Sequence, residues 1–145
     1  PIPTAASPTP TPSNKPLGVE LIMPTTMLYP ESEFKLIARI SNPGFTRTEL
    51  PLITVLDVYG RVFFLPGFTE YPVLQYPIID VNHGISEVVL IPSFSWPDGA
   101  GEASGIFFHA AMVDQSLMNV IGESDSIEFG WASSPVPTQQ PPSTQ

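Results

Sequence analysis

Proline decides how much of this chain can fold. Six of its 19 prolines fall in residues 1–16 (PIPTAASPTPTPSNKP) and four more in residues 133–145 (SSPVPTQQPPSTQ). Proline fixes φ and lacks an N–H, so it breaks helix interiors and central strands. These ends also hold almost no large apolar residue, and such segments cannot offset chain entropy by burial. Three parts follow: a Pro/Thr-rich arm or linker at 1–16, a folded domain over 17–132, and a Pro/Ser/Thr-rich arm or linker at 133–145. The Thr9-Pro10-Thr11-Pro12 run favours polyproline II, a semi-rigid spacer of about 3.1 Å per residue. Ser and Thr mixed with Pro are also the composition of O-glycosylated stalks. Thr4, Ser7, Thr9, Thr11, Ser13 and Thr138 are candidate acceptors on that reading; on the other, the arms are plain linkers. The sequence contains no Asn-x-Ser/Thr sequon.

Charge narrows the partners. The chain has 5 Lys and Arg against 14 Asp and Glu, a net of −9, which speaks against nucleic acid. All the basic residues (Lys15, Lys35, Arg39, Arg47, Arg61) precede residue 62, where five acids balance them, so residues 62–145 carry the whole −9. That half reads either as chance on a weakly charged surface or as an acidic face toward a neighbour. There is no cysteine, which argues against a small disulfide-stapled scaffold but not against export. No run of 18 apolar residues occurs, so no membrane-spanning helix is expected. No signal peptide is visible, and a chain starting at Pro1 is expected to be a processed product or part of something longer.

Between the arms the pattern is that of short strands split by turns. Phe34, Leu36, Ala38 and Ile40 alternate with Lys35, Ile37, Arg39 and Ser41, a period of two. Asn42-Pro43-Gly44 then turns the chain. Further strands are expected at 18–23, 50–59, 61–65, 85–91, 105–114 and 126–131, with shorter ones at 77–81 and 117–121. Gly105 to Met118 is the one run that helix could claim, and its Ile-Phe-Phe start favours strand. The expected fold class is all-β: an immunoglobulin-like antiparallel two-sheet sandwich of seven to nine strands, flanked by extended arms.

Little in the sequence supports catalysis. Nucleophilic mechanisms need a nucleophile, a base and an orienting group. Gly101-Glu102-Ala103-Ser104-Gly105 has the letters of a nucleophile elbow, but its serine sits one place late. His83 reads as a solvated turn residue, and His109, mid-strand between Phe108 and Ala110, reads as structural. No catalytic residues, no cofactor and no assigned metal site are expected. A weak calcium alternative would need Asp98, Glu102, Asp114 and Asp125 to converge. The aromatic residues Phe63, Phe64, Phe68, Tyr71, Tyr76 and Trp96 are the candidate binding or assembly patch. Half of them would serve simply to cap the open ends of a sandwich. The remainder would contact a neighbouring subunit or stack on sugar rings. Tyr71 and Tyr76, each followed by proline, are expected to be the most exposed.

The runs Ile40-Ser41-Asn42-Pro43-Gly44 and LPLITVLDVYGRVFFLP (50–66) resemble adhesion-related bacterial Ig-like modules. FSWPDGAGEASGIFFHAAMVD (94–114) and IGESDSIEFGW (121–131) are similar to β-sandwich modules of environmental bacterial surface proteins. The resemblance covers roughly residues 18–131 and brings no catalytic residues. It implies an extracellular or cell-surface setting and an adhesive or structural role, including as a fibril subunit. The expected protein is therefore a non-enzymatic subunit of a surface fibre or multidomain surface protein. It would self-associate or meet neighbouring modules through sandwich contacts and Pro-rich arms. The alternative is a carbohydrate-binding module of a secreted enzyme, with glycans as partners.

Overall fold

The computed structural model describes residues 15–133. All six glycosylation candidates lie outside the described residues. Within them the protein is all-β, with no helix. Ten strands form: β1 (Gly18–Ile22), β2 (Met27–Leu28), β3 (Glu33–Asn42), β4 (Arg47–Val58), β5 (Arg61–Phe64), β6 (Thr69–Glu70), β7 (Ile78–Val81), β8 (Gly84–Ser95), β9 (Ala103–Val113) and β10 (Val120–Trp131).

The strands connect as one curled sheet in the order β6-β5-β4-β9-β10-β1-β3-β8, with β2 on β10 and β7 on β4. Two expectations are corrected here. The count is ten rather than seven to nine, because the two-residue strands β2 and β6 are too short to leave a period. The sheet is also mixed rather than antiparallel, since β1 and β2 each run parallel to β10. The strands expected at 117–121 and 126–131 are one strand, β10, interrupted by a register shift between Ile121 and Asp125.

The hinge of the curl is that irregularity. β1 and β10 meet at a single register point, Gly18 opposite Glu123. A Cβ on Gly18 would lie 2.9 Å from Glu123 backbone atoms. Gly122 has φ +75° and abuts the Leu17 carbonyl, and the Glu123 N–H donates to that same oxygen at 2.9 Å. Asp125 fastens the joint further, its Oδ2 accepting the Leu21 N–H at 2.8 Å. Such an acid inside a strand is holding two strands together.

Curling brings β1, β3 and β8 over β4, β9 and β10. The inward row of β3 (Phe34, Leu36, Ala38, Ile40) is buried, as is that of β9 (Ile106, Phe108, Ala110, Met112). They join in one core cluster with Leu21, Leu28 and Leu52. The period of two read in β3 is therefore a true inside-outside alternation. At the turn after β3, Asn42 is buried: its side-chain amide donates to the Phe45 and Val81 carbonyls at 2.8 and 3.1 Å, and its Oδ1 accepts the Gly44 N–H. This is the Asn-Pro-Gly turn expected from sequence.

One core group is mismatched. The Thr54 hydroxyl on β4 is buried without a hydrogen-bond partner, and an orphan hydroxyl costs roughly 1–3 kcal/mol. Thr54→Val keeps the volume and removes the polar atom. Its urea midpoint is expected to rise, by about 0.5–1 kcal/mol of stability; a fall would mean the hydroxyl has a partner in solution.

Candidate functional site

The edge strands β6 and β8 do not pair with each other, so the sheet stays open along one side. Behind that opening lies an apolar cavity of about 270 Å³. Its floor is a packed ring set: Phe108 stacks on Phe129 at 5.0 Å, and Phe34 meets both rings edge-on at 6.2 and 5.9 Å. Phe94 and Trp96 stack on Phe34 from β8 and the loop after it, at 5.1 and 5.7 Å. Trp131, the last residue of β10, closes on Trp96 at 5.0 Å. Leu56 and Val58 of β4 form the opposite wall, and every lining side chain is apolar.

Phe68 stands at the rim, 44% exposed. It has φ +59°, a region that bulky residues rarely adopt and that tends to mark ligand clamps or switches. The two indoles differ. Trp131 Nε1 donates to the Ala100 carbonyl at 3.1 Å, whereas Trp96 Nε1 is buried with no partner. Trp96 is nonetheless firmly placed, its backbone N–H donating to Ser32 and its carbonyl accepting from Glu31, both at 2.8 Å.

The structure divides the aromatic patch read from sequence. Phe68 and Trp96 share the cleft; Phe63, Phe64, Tyr71 and Tyr76 are not among its lining residues. Phe64 is buried and borders a second trough of about 480 Å³ with Leu74, His109 and Ser126. Phe63 lies under the Arg61 guanidinium, 5.3 Å from its ring, and Arg61 forks onto Glu70 at 3.1 Å. Tyr71 is 66% exposed, and Tyr76 is half-buried. The sequence marks Phe34 only as a strand residue, and Phe94 and Trp131 are not among its site candidates. Phe94-Ser95-Trp96 did carry a signal, since residues two apart on a strand share a face.

The calcium candidates do not converge. Glu102 and Asp114 flank opposite ends of β9, roughly 40 Å apart at strand rise, and Asp125 is engaged with Leu21. Among the described residues no three His, Asp or Glu side chains are grouped to hold a metal. Asp114 instead closes the β9–β10 hairpin. It accepts from Ser116 Oγ and Asn119 Nδ2, both at 2.6 Å, and from the Met118 N–H at 3.2 Å. The Ser116 and Asn119 hydrogen bonds hold its carboxyl down at about 2, against an ordinary 3.8. A lowered folded-state value stabilises above the unfolded one. The stability gap between wild type and Asp114→Ala should therefore be full at pH 7, shrink between about 4 and about 2, and vanish below. Urea unfolding at several pH values reads it; a gap constant down to pH 2 would refute the hairpin role.

His83 Nδ1 meets the Gly44 carbonyl at 3.0 Å in an exposed loop. His109 points outward from β9, with Nδ1 2.6 Å from Ser126 Oγ, Nε2 3.5 Å from Asp57 Oδ2, and its ring stacked on Phe107 at 5.7 Å. The letters are those of a serine relay. The Nε2–Asp57 contact, at 3.5 Å, is an ion-pair distance rather than a close hydrogen bond, and the other carboxylate oxygen, Oδ1, accepts the Gly60 N–H at 2.9 Å.

The molecule is thus an all-β module whose most developed feature is an aromatic cleft on its unpaired side. No family model matches the chain, and no curated protein matches it.

Proposed function

We propose that this protein is a non-catalytic structural or adhesive module of an extracellular bacterial surface fibre or multidomain surface protein. Its domain acts as an Ig-like two-sheet sandwich, with β8-β3-β1 as one layer and the remaining strands as the other. The observation that carries the reading is the aromatic cleft. A monomer with no partner would gain by closing such an opening, because large apolar patches on a soluble surface mark contact sites. The two ends share a Pro/Ser/Thr-rich composition, which suits linkers between modules. The short β6 strand, and Pro92 with Glu87 on β8, make poor templates for edge-to-edge pairing, which favours contact through the cleft.

Sedimentation velocity on the full chain across a hundredfold concentration range tests this. The sedimentation coefficient should rise with concentration, and negative-stain images should show strings or fibres. A single monomeric species throughout would contradict it. Exposed rings at Tyr59 and Tyr71 favour a second reading, a carbohydrate-binding module. Selective signal on a glycan array, lost in Tyr71→Ala, would support that reading over the first.

A further inference from the structure

We propose that the aromatic cleft is a socket for the Phe45 ring of a second copy of this chain. The inference rests on the assembly reading above and names the contact. Three observations select this occupant.

The first is an unburied ring on a rigid mount. Phe45 is 94% exposed, the highest value for a large apolar side chain among the described residues. Its turn is tied down. The buried Asn42 side chain donates to the Phe45 carbonyl at 2.8 Å and accepts the Gly44 N–H at 3.0 Å, and His83 Nδ1 meets the Gly44 carbonyl at 3.0 Å. A ring already held in place gives up little conformational freedom when it docks.

The second is fit. Every side chain lining the cleft is apolar, so a polar group seated there would lose its water without gaining a partner. That disfavours Tyr59 and Tyr71, the other aromatic residues more than half exposed. The cleft holds about 270 Å³, and an apolar cavity of roughly 150 Å³ already admits benzene. A phenyl ring therefore enters with room to settle against the rings of the wall, where aromatic pairs gain beyond their burial.

The third is placement and charge. Phe45 sits in the turn between β3 and β4, whereas the cleft takes Phe34 from the far end of β3 and Val58 from the far end of β4. Along those strands the turn and the cleft are roughly 26 and 36 Å apart. The fixed turn of a folded chain cannot reach its own cleft, so the ring must come from another copy. Arg47, just past Phe45, is exposed, as are Asp98 and Glu102 on the loop between Trp96 and β9. That loop crosses the cleft's end, where its Ala100 carbonyl accepts from Trp131. Among the described residues none of the three takes part in an ion pair, so docking brings an unused cation to unused acids. Met118, next in exposure at 80%, stands instead beside the Asp114 carboxylate and would bring the wrong sign. A knob at one pole and a socket at the other make a heterologous contact, which propagates into an open string.

Phe45→Ser alters only an exposed side chain, so the melting temperature should hold. Self-association of the full chain, read by sedimentation velocity, should weaken at least roughly tenfold, the scale of one buried phenyl ring. Arg47→Glu should weaken it roughly 2–5-fold at low salt, and Met118→Ser should leave it unchanged. The chain has two tryptophans, both lining the cleft, so indole ¹⁵N–¹H resonances report the socket. ¹⁵N-labelled Phe45→Ser keeps the socket and lacks the knob. Unlabelled wild type should move its indole resonances saturably, and unlabelled Phe45→Ser should not. Excess Phe45→Ser should also cap wild-type strings and shorten them. Equal indole responses to both additions, or no response to wild type, would overturn the proposal. So would Phe45-dependent binding to phosphatidylcholine vesicles by a chain whose indoles ignore wild type, since the turn would then be a membrane tip. Strings that persist in Phe45→Ser would sink this contact and spare the fibre reading. An indole response to wild type from chains that form no strings at any concentration would keep the contact and sink the fibre reading.

Discussion

Phe108→Ala is expected to lower stability by about 3–5 kcal/mol, the range for deleting a buried aromatic ring. Phe108 is 1% exposed and packs inside the curl of the sheet, stacked on Phe129 and edge-on to Phe34. Its loss removes burial and opens a hole that neighbours on three strands cannot all follow. The cleft floor is the same ring set, so the hole also enlarges the cleft. A domain of this size should unfold in one step. Urea unfolding should show a lower midpoint at similar slope, and Trp96 and Trp131 should red-shift even in the folded state as their packing loosens. A loss below about 1 kcal/mol would mean that the core does not depend on this ring.

The second large effect is expected at the hinge. Gly122→Ala puts a Cβ at φ +75° and drives it into the Leu17 carbonyl. Backbone strain of this kind costs roughly 1–3 kcal/mol. The collision comes on top, and the Glu123–Leu17 hydrogen bond must loosen to relieve it. A total near 2–4 kcal/mol follows, within the tail of single-residue effects. Gly60→Ala is the control, since Gly60 has φ +92° with no heavy atom near its absent Cβ. It should lose only the strain. Equal losses at both would show that close approach at the hinge counts for nothing.

The strands of this fold were legible where a single period ran long enough. β3 alternates from Glu33 to Ile40, so the sequence alone placed it, its inward face and its Asn-Pro-Gly turn. β10 was read as two strands because Gly122, Glu123 and Ser124 break its alternation. That break is where the strand changes partners, so the interruption was visible while its meaning was not. β2 needed the parallel register Met27–Gly130, which spans a hundred residues and leaves no local trace. The candidate site was half legible. Phe68 and Trp96 stood out as aromatic residues in loops. Phe34, Phe129 and Phe108 looked like ordinary strand residues, and they are; they become a site only because the curl stops before β8 reaches β6. Asp125 and Asp114 looked like possible metal ligands because a carboxylate's partner is invisible in sequence. In the fold one holds a backbone N–H of β1 and the other a hairpin.

Hydrogen exchange on the full chain at low and high concentration tests most directly whether the open aromatic side is where this module meets its neighbours. Raising the concentration should add protection at the backbone amides of residues 67–70 and 94–98, which border the cleft, and leave the outer strand β7 unchanged. Added protection confined to β7 or to the outer face of β3, or none at any concentration, would contradict the account.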